Sequence, residues 1–207
     1  RIPVQSLARK SVTMVPRMTS CSKDNIAANT PPLGDVWNML EARGWLSERS
    51  PEVRDRLLGI AQVRVYQPGE HLYSVGEEPQ GVYGVARGAL DISIPREDGE
   101  EIVIHNAQPG FWVGDLALFS FQRRLITATA ATEVVAAFLS KTRLSQLLDR
   151  YPNLISDFYV LSHRNMATTL RLLANLSIPR AEARIALRLL NHDQKETRPG
   201  DWLPLSQ

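Results

Sequence analysis

The spacing of apolar residues changes period twice along this chain, and the changes divide it into three parts. From Asp35, Val36, Trp37 and Leu40 recur at helical spacing until Gly44 stops the run. Ser50-Pro51-Glu52 then opens a second helix, with a serine N-cap, a proline at the first helical position and an acid in the first turn. Leu57, Leu58 and Ile60 give that helix its apolar side. Between Val63 and Leu139 the period falls to two, in short runs separated by glycine-bearing turns about eight to twelve residues apart, which predicts strands. Residues 81–86, 89–94 and 101–105 are among them. Gln67-Pro68-Gly69-Glu70 has the proline and glycine of a type II turn, and Arg96-Glu97-Asp98-Gly99 reads as a hairpin tip. The middle part is therefore expected to be a compact antiparallel barrel or roll of roughly eight strands.

After Ser140 the helical period returns. Residues 141–150 form a short helix with Leu144, Leu147 and Leu148 on one side, and Pro152 opens a longer one reaching about Asn175. Two apolar seams run along the longer helix: Leu154, Phe158, Leu161 and Leu172, and then Ile155, Tyr159, Met166, Leu173 and Leu176. One seam suffices for packing on the roll. The other calls for a second partner, and a twin helix in a parallel homodimer is the simplest. Phe158, Leu161, Met166, Leu172 and Leu173 are the expected interface positions. Pro179 interrupts the helix and fixes a bend, and residues 181–191 start another.

Composition narrows the class. With 207 residues and 43% apolar content the chain can bury a core. No run of eighteen apolar residues is present, so no segment reads as a membrane-spanning helix, and the basic N-terminus lacks the apolar stretch of a secretory signal. Cys21 is the single cysteine, which excludes an internal disulfide or a Cys-ligated cluster within one chain. A cytoplasmic protein is expected. Residues 1–32 are rich in polar residues and proline and read as a disordered extension. Net charge is only +2, but Glu70 to Glu101 holds eight acidic and two basic residues, against six acidic and twelve basic from Arg123 to Arg198.

The candidate chemistry lies in residues 114–130. Gly114 leads into a helix-prone turn with one carboxylate, Asp115, followed by Arg123, Arg124 and the alternating Leu125-Ile126-Thr127-Ala128-Thr129-Ala130 of a strand. A turn with free backbone N–H groups faced by an arginine can hold a phosphate, and the carboxylate can accept hydrogen bonds from a sugar hydroxyl. No nucleophile with an adjacent base, no metal-ligand spacing and no Gly-x-Gly-x-x-Gly is visible, so the chain is not read as an enzyme. His71, His105, His163 and His192 share no common spacing.

Pro68-Gly69-Glu70, Gly76-Glu77, the Val82-Tyr83-Gly84-Val85 run with Gly88, Pro109-Gly110-x-Trp112-x-Gly114-Asp115-x-Ala117-Leu118, and Arg124 together resemble the CRP/FNR family of bacterial transcription regulators, over residues 66–190. The resemblance implies an α+β, mainly β fold: an antiparallel β-roll or jelly-roll barrel with flanking helices and a long C-terminal dimerisation helix. It implies an effector domain over 33–150, a dimerisation helix over 151–176, and over 177–207 a hinge and the entry to a winged helix-turn-helix, with Trp202-Leu203-Pro204-Leu205-Ser206-Gln207 resembling that entry. The remainder of the DNA-reading domain would be absent from this chain. Partners would be DNA through that domain, and RNA polymerase. The effector pocket would comprise Gly114, Asp115, Leu116, Ala117, Arg124, Leu125, Asn165 and Thr169. The chain departs from cyclic-AMP-responsive members at Asp115, where they carry glutamate, at Leu125, where a serine binds phosphate, and at Leu170, where a serine reaches across the dimer. Thr169 matches an adenine-contacting threonine, whereas Asn165 stands where another helix contact is basic. Losing the serine hydroxyl costs roughly 1 to 3 kcal/mol. Three outcomes follow: cyclic AMP, another nucleotide or small anion, or a ligand-free roll that serves as a dimerisation scaffold. A cyclic-nucleotide-binding module of another signalling protein is the alternative.

Overall fold

A computed structural model describes residues 30–176 and Glu182. The expected N-terminal extension up to residue 29, the bend at Pro179, the helix over 181–191 (Glu182 apart) and the Trp202 to Gln207 segment lie outside the described residues.

The chain enters through helix α1 (Leu33–Glu41), a 3-10 turn (Leu46–Glu48) and helix α2 (Pro51–Leu58). The Ser50 hydroxyl accepts the Val53 N–H, so the serine and proline start α2 as their sequence requires. Eight strands follow: β1 (Ala61–Tyr66), β2 (His71–Tyr73), β3 (Gly81–Arg87), β4 (Leu90–Pro95), β5 (Glu101–Ala107), β6 (Trp112–Val113), β7 (Thr127–Ala130) and β8 (Val134–Ser140). Helix α3 (Asp115–Ser120) is inserted between β6 and β7, and helices α4 (Lys141–Arg150) and α5 (Ile155–Leu176) close the described part. Between β1 and β2, Gly69 supplies a φ of 86° while the Glu70 N–H donates to the Gln67 carbonyl at 2.9 Å.

The strands form two antiparallel four-stranded sheets, in the orders β1-β8-β3-β6 and β2-β7-β4-β5, stacked as a β-roll. The expected fold class is thus the observed one. Strands β3 and β8 are buried on both faces. Tyr83, Val85, Val134, Ala136 and Phe138 face the roll interior, while Val82, Ala86, Val135, Ala137 and Leu139 meet the helical layer. That double burial is why they read as continuous apolar runs rather than as alternation.

The helical layer is cemented by aromatic rings. Trp112 of β6 meets Trp37 of α1 and Trp45 at centroid distances of 6.3 and 5.3 Å, Trp45 meets Phe158 of α5 at 5.3 Å, and Phe158 meets Phe119 of α3 at 4.9 Å. The Trp45 indole donates to the Asp157 carbonyl at 2.9 Å, and Arg49 pairs with the Asp157 carboxylate at 3.0 Å. Phe158 and Leu161, in the first two turns of α5, therefore belong to the core cluster that holds α1, Trp45 and Trp112.

Two of the expected interface positions, Phe158 and Leu161, are buried inside the protomer, in the cluster with Trp45 and Leu40. The Leu154, Phe158, Leu161 seam is the one that docks on the roll. Leu172, farther along it, is half-buried, whereas Met166 and Leu173 are exposed.

Candidate functional site

Gly114 caps α3 in the left-handed region, at φ 102°. A Cβ there would lie 2.6 Å from Nη1 of Arg124 and 2.9 Å from the Gly81 carbonyl oxygen, so both backbone conformation and space demand glycine. Arg124 is only 3% exposed. Its Nη1 donates to the Gly114 carbonyl at 2.8 Å and its Nη2 to the Gly81 carbonyl at 2.7 Å, while the guanidinium lies 4.1 Å from the centroid of the Tyr73 ring. Its backbone N–H donates to Glu77 and its carbonyl accepts from Gly76. The guanidinium thus braces β2, the start of β3 and the turn before α3. Its buried Nε has no partner among the described residues. Burial also raises the Tyr73 phenol well above its usual range, so that ring stays neutral under the guanidinium.

Asp115, the first residue of α3, is 2% exposed. Its carboxylate accepts the hydroxyl of Ser162 and, at 3.0 Å, the side-chain amide of Asn165, both from α5. Asn165 also donates to the Trp112 carbonyl at 3.1 Å. Burial raises the Asp115 carboxyl above the ordinary range, opposed by hydrogen bonds from Ser162, its own amide, Asn165 and the Leu116 amide. Thr169 is exposed and its hydroxyl donates along the helix to the Asn165 carbonyl at 3.1 Å.

Over this base opens a half-enclosed cavity of about 540 Å³, whose walls include Leu116, Ala117, Phe121, Arg123, Arg124 and Leu125. Four of the expected ligand residues, Leu116, Ala117, Arg124 and Leu125, line it. Gly114 and Asp115 lie beneath, and Asn165 and Thr169 are not part of its wall. The structure brings Asp115 and Asn165 together, but on each other rather than toward the cavity. Leu125 is 66% exposed and Phe121, at φ 55°, is 83% exposed. Arg123 reaches outward, donating to the Gly76 carbonyl at 2.8 Å and pairing with Glu78 at 3.1 Å.

Sequence reasoning missed Ser162, Phe121 and Tyr73. Ser162 had a signal: it precedes Asn165 by three on the roll-facing side of α5, a polar pair inside an otherwise apolar seam. Among the described residues no group of three or more His, Cys, Asp or Glu is placed to hold a metal, and no helix is long and apolar enough to cross a membrane.

Comparison with known proteins bears on this arrangement. The cAMP-activated global transcriptional regulator CRP of Escherichia coli is 26% identical over 135 residues, which cover 65% of this chain; the chain spans 64% of that relative's length. A cAMP-dependent protein kinase regulatory subunit of Debaryomyces hansenii is 28% identical over 103 residues, covering 50% of this chain and 22% of the relative. In fold, the chain is similar to the c-di-GMP-responsive global regulator CLP of Xanthomonas campestris, with a TM-score of 0.59 at 23% identity over 75% of this chain and 76% of that one. Residues 63–151, from within β1 to just past α4, match the family model of the cyclic nucleotide-binding domain, and at low identity the chain is similar both to CRP regulators and to a cAMP-dependent protein kinase regulatory subunit.

Proposed function

We propose that the chain is the effector-sensing and dimerisation module of a bacterial DNA-binding transcription regulator of the CRP/FNR type, cytoplasmic and homodimeric. The observation that carries this reading is the contact between Asp115 and the Ser162 and Asn165 side chains. It ties α3, which forms one wall of the cavity, to the middle of α5. Anything that shifts α3 on binding must therefore strain or move α5. Tyr159, Met166, Leu170 and Leu173 form an exposed stripe on α5 with coiled-coil spacing. Two copies joined along it carry the shift beyond residue 176, through a hinge, to a DNA-reading domain and its contacts with RNA polymerase. Such coupling typically amounts to about 1 to 3 kcal/mol.

In this reading residues 33–150 are the effector domain, 151–176 the dimerisation helix and 177–207 the hinge and domain entry. The interface moves from Phe158 and Leu161 to Tyr159, Met166, Leu170 and Leu173. Sedimentation equilibrium tests it. The chain is expected to be a dimer, and Met166→Glu combined with Leu170→Glu a folded monomer with unchanged circular dichroism. A monomeric wild type, or a dimer that survives the double substitution, overturns the reading.

A further inference from the structure

Four strands end the two sheets: β1 and β6 in one, β2 and β5 in the other. An edge strand leaves a row of N–H and C=O groups unpaired, and folded chains shorten, kink or cover such edges. Strands β2 and β6 are only three and two residues long, and the register of β5 against β4 shifts between Ile92 and Ser93. Strand β1 has none of these devices. Its six residues run against β8 without a break in register, from Ala61 opposite Leu139 to Tyr66 opposite Val134, and contain no proline. Every second residue therefore turns its N–H and C=O away from β8. Among the described residues, no backbone hydrogen bond from outside the sheet reaches residues 61–66.

A groove of about 570 Å³ follows that edge. It is lined by residues 63–66, by Glu70 and His71 across the turn, and by Thr30. Successive side chains of a strand point to opposite faces, so a groove touched by four residues in a row lies along the backbone itself. Thr30 is where the preceding chain enters the described part, and it delivers that chain to the groove. The residues leading into it, Asp24-Asn25-Ile26-Ala27-Ala28-Asn29, number six, as those of β1 do, and span about 20 Å when extended. Alternation puts Ile26 and Ala28 on one face and Asn25 and Asn29 on the other, with no glycine or proline to interrupt it. Their tether at Thr30 holds them at an effective concentration in the millimolar range, which favours them over any separate peptide.

We infer that residues 24–29 seat in this groove as a fifth strand of the first sheet, covering the free edge of β1. Main-chain hydrogen bonds hold such an added strand. A polar segment of this kind has no core of its own, and the unpaired edge beside it supplies the partner.

Hydrogen exchange, read residue by residue by NMR on the full chain and on the Ile26→Pro, Ala27→Pro double variant, tests this. Adjacent substitutions place one proline at a β1-facing position in either register, where it cannot donate. In the wild type, the β1 amides turned away from β8 are expected to exchange at least about tenfold more slowly than in the variant. Those bonded to β8 should be unchanged, which shows that the roll is intact. A nitroxide on Cys21, the single cysteine, gives a second readout without any substitution. It should broaden the amide signals of β1 and spare those of β5, at the far edge of the other sheet. Edge amides of the wild type that exchange as fast as an unstructured chain overturn the inference, whether or not the variant folds. So does a label that leaves β1 no broader than β5. Protection that survives the prolines, or that appears only as protein concentration rises, overturns it as well, the latter assigning the edge to a second copy.

Discussion

Replacing Arg124 with methionine separates a structural guanidinium from a ligand-binding one. The substitution removes two charge-assisted hydrogen bonds, to the Gly114 carbonyl at 2.8 Å and the Gly81 carbonyl at 2.7 Å, and the stacking on Tyr73. Each such bond contributes about 1.5 to 3 kcal/mol, and losing the arginine leaves both carbonyl oxygens without it. Against that, methionine relieves the desolvation of a buried cation and fills part of its volume, which returns about 1 to 3 kcal/mol. The net expectation is a loss of about 3 kcal/mol, or a melting temperature lower by about 6 to 12 °C for a chain of this size. Urea denaturation followed by tryptophan fluorescence reads it directly, because Trp37, Trp45 and Trp112 all sit in the core beside the turn. Arg124→Lys should be nearly as damaging, since one ammonium cannot reproduce a planar fork spanning two carbonyls. A loss below about 1 kcal/mol, with ligand binding abolished, would refute the assignment of Arg124 to the fold.

Three further outcomes follow from the same geometry. Asp115 has a folded-state pKa above its unfolded value, so the folded protein holds that proton more tightly. Its contribution is therefore most favourable in acid and falls away as pH rises from about 4 through the raised pKa; Asp115→Asn should flatten that part of the stability profile, measured by urea melts at successive pH values. Phe121→Gly relieves a left-handed backbone at φ 55° and loses little packing, so it should raise stability by about 1 kcal/mol in thermal melts. Phe158→Ala should cost about 3 to 5 kcal/mol because it opens the ring cluster with Trp45 and Phe119, whereas Met166→Ala, on the exposed stripe, should cost a dilute monomer less than about 1 kcal/mol.

Much of the architecture could be read from spacing because local chemistry and burial agree. Ser50 and Pro51 start α2, Gly69 turns β1 into β2, and Arg96 to Gly99 joins β4 to β5, all through interactions within a few residues. The two seams of α5 were likewise visible. What spacing does not encode is which seam faces the roll, since Phe158 and Met166 are both apolar. That choice is made by Trp45, Trp112 and Phe119, which come from three other places in the chain and leave a slot for a ring at position 158.

The site was less legible for a related reason. Gly114, Asp115 and Arg124 looked like a phosphate-and-ribose set because their residue types suit one, and the resemblance to a regulator family reinforced it. Residue type does not say which groups a side chain touches in the folded chain. Arg124 closes on a carbonyl ten positions back and another forty-three back, and Asp115 closes on Ser162, forty-seven positions away. Such contacts depend on how α3 and α5 are brought together by the core, which no local pattern carries. Phe121 was invisible for the opposite reason: its left-handed conformation is imposed by the end of a six-residue helix on a residue that does not favour it.

The most direct measurement for the central claim, that the cavity turn and α5 move as one unit through Asp115, is hydrogen exchange on wild type and on the Ser162→Ala, Asn165→Ala double variant. Removal of both donors leaves the Asp115 carboxylate buried without its α5 partners. The account predicts faster exchange in α3 (Asp115–Ser120) and in the middle turns of α5 together. Acceleration confined to the substituted turn of α5, with α3 unchanged, would contradict it.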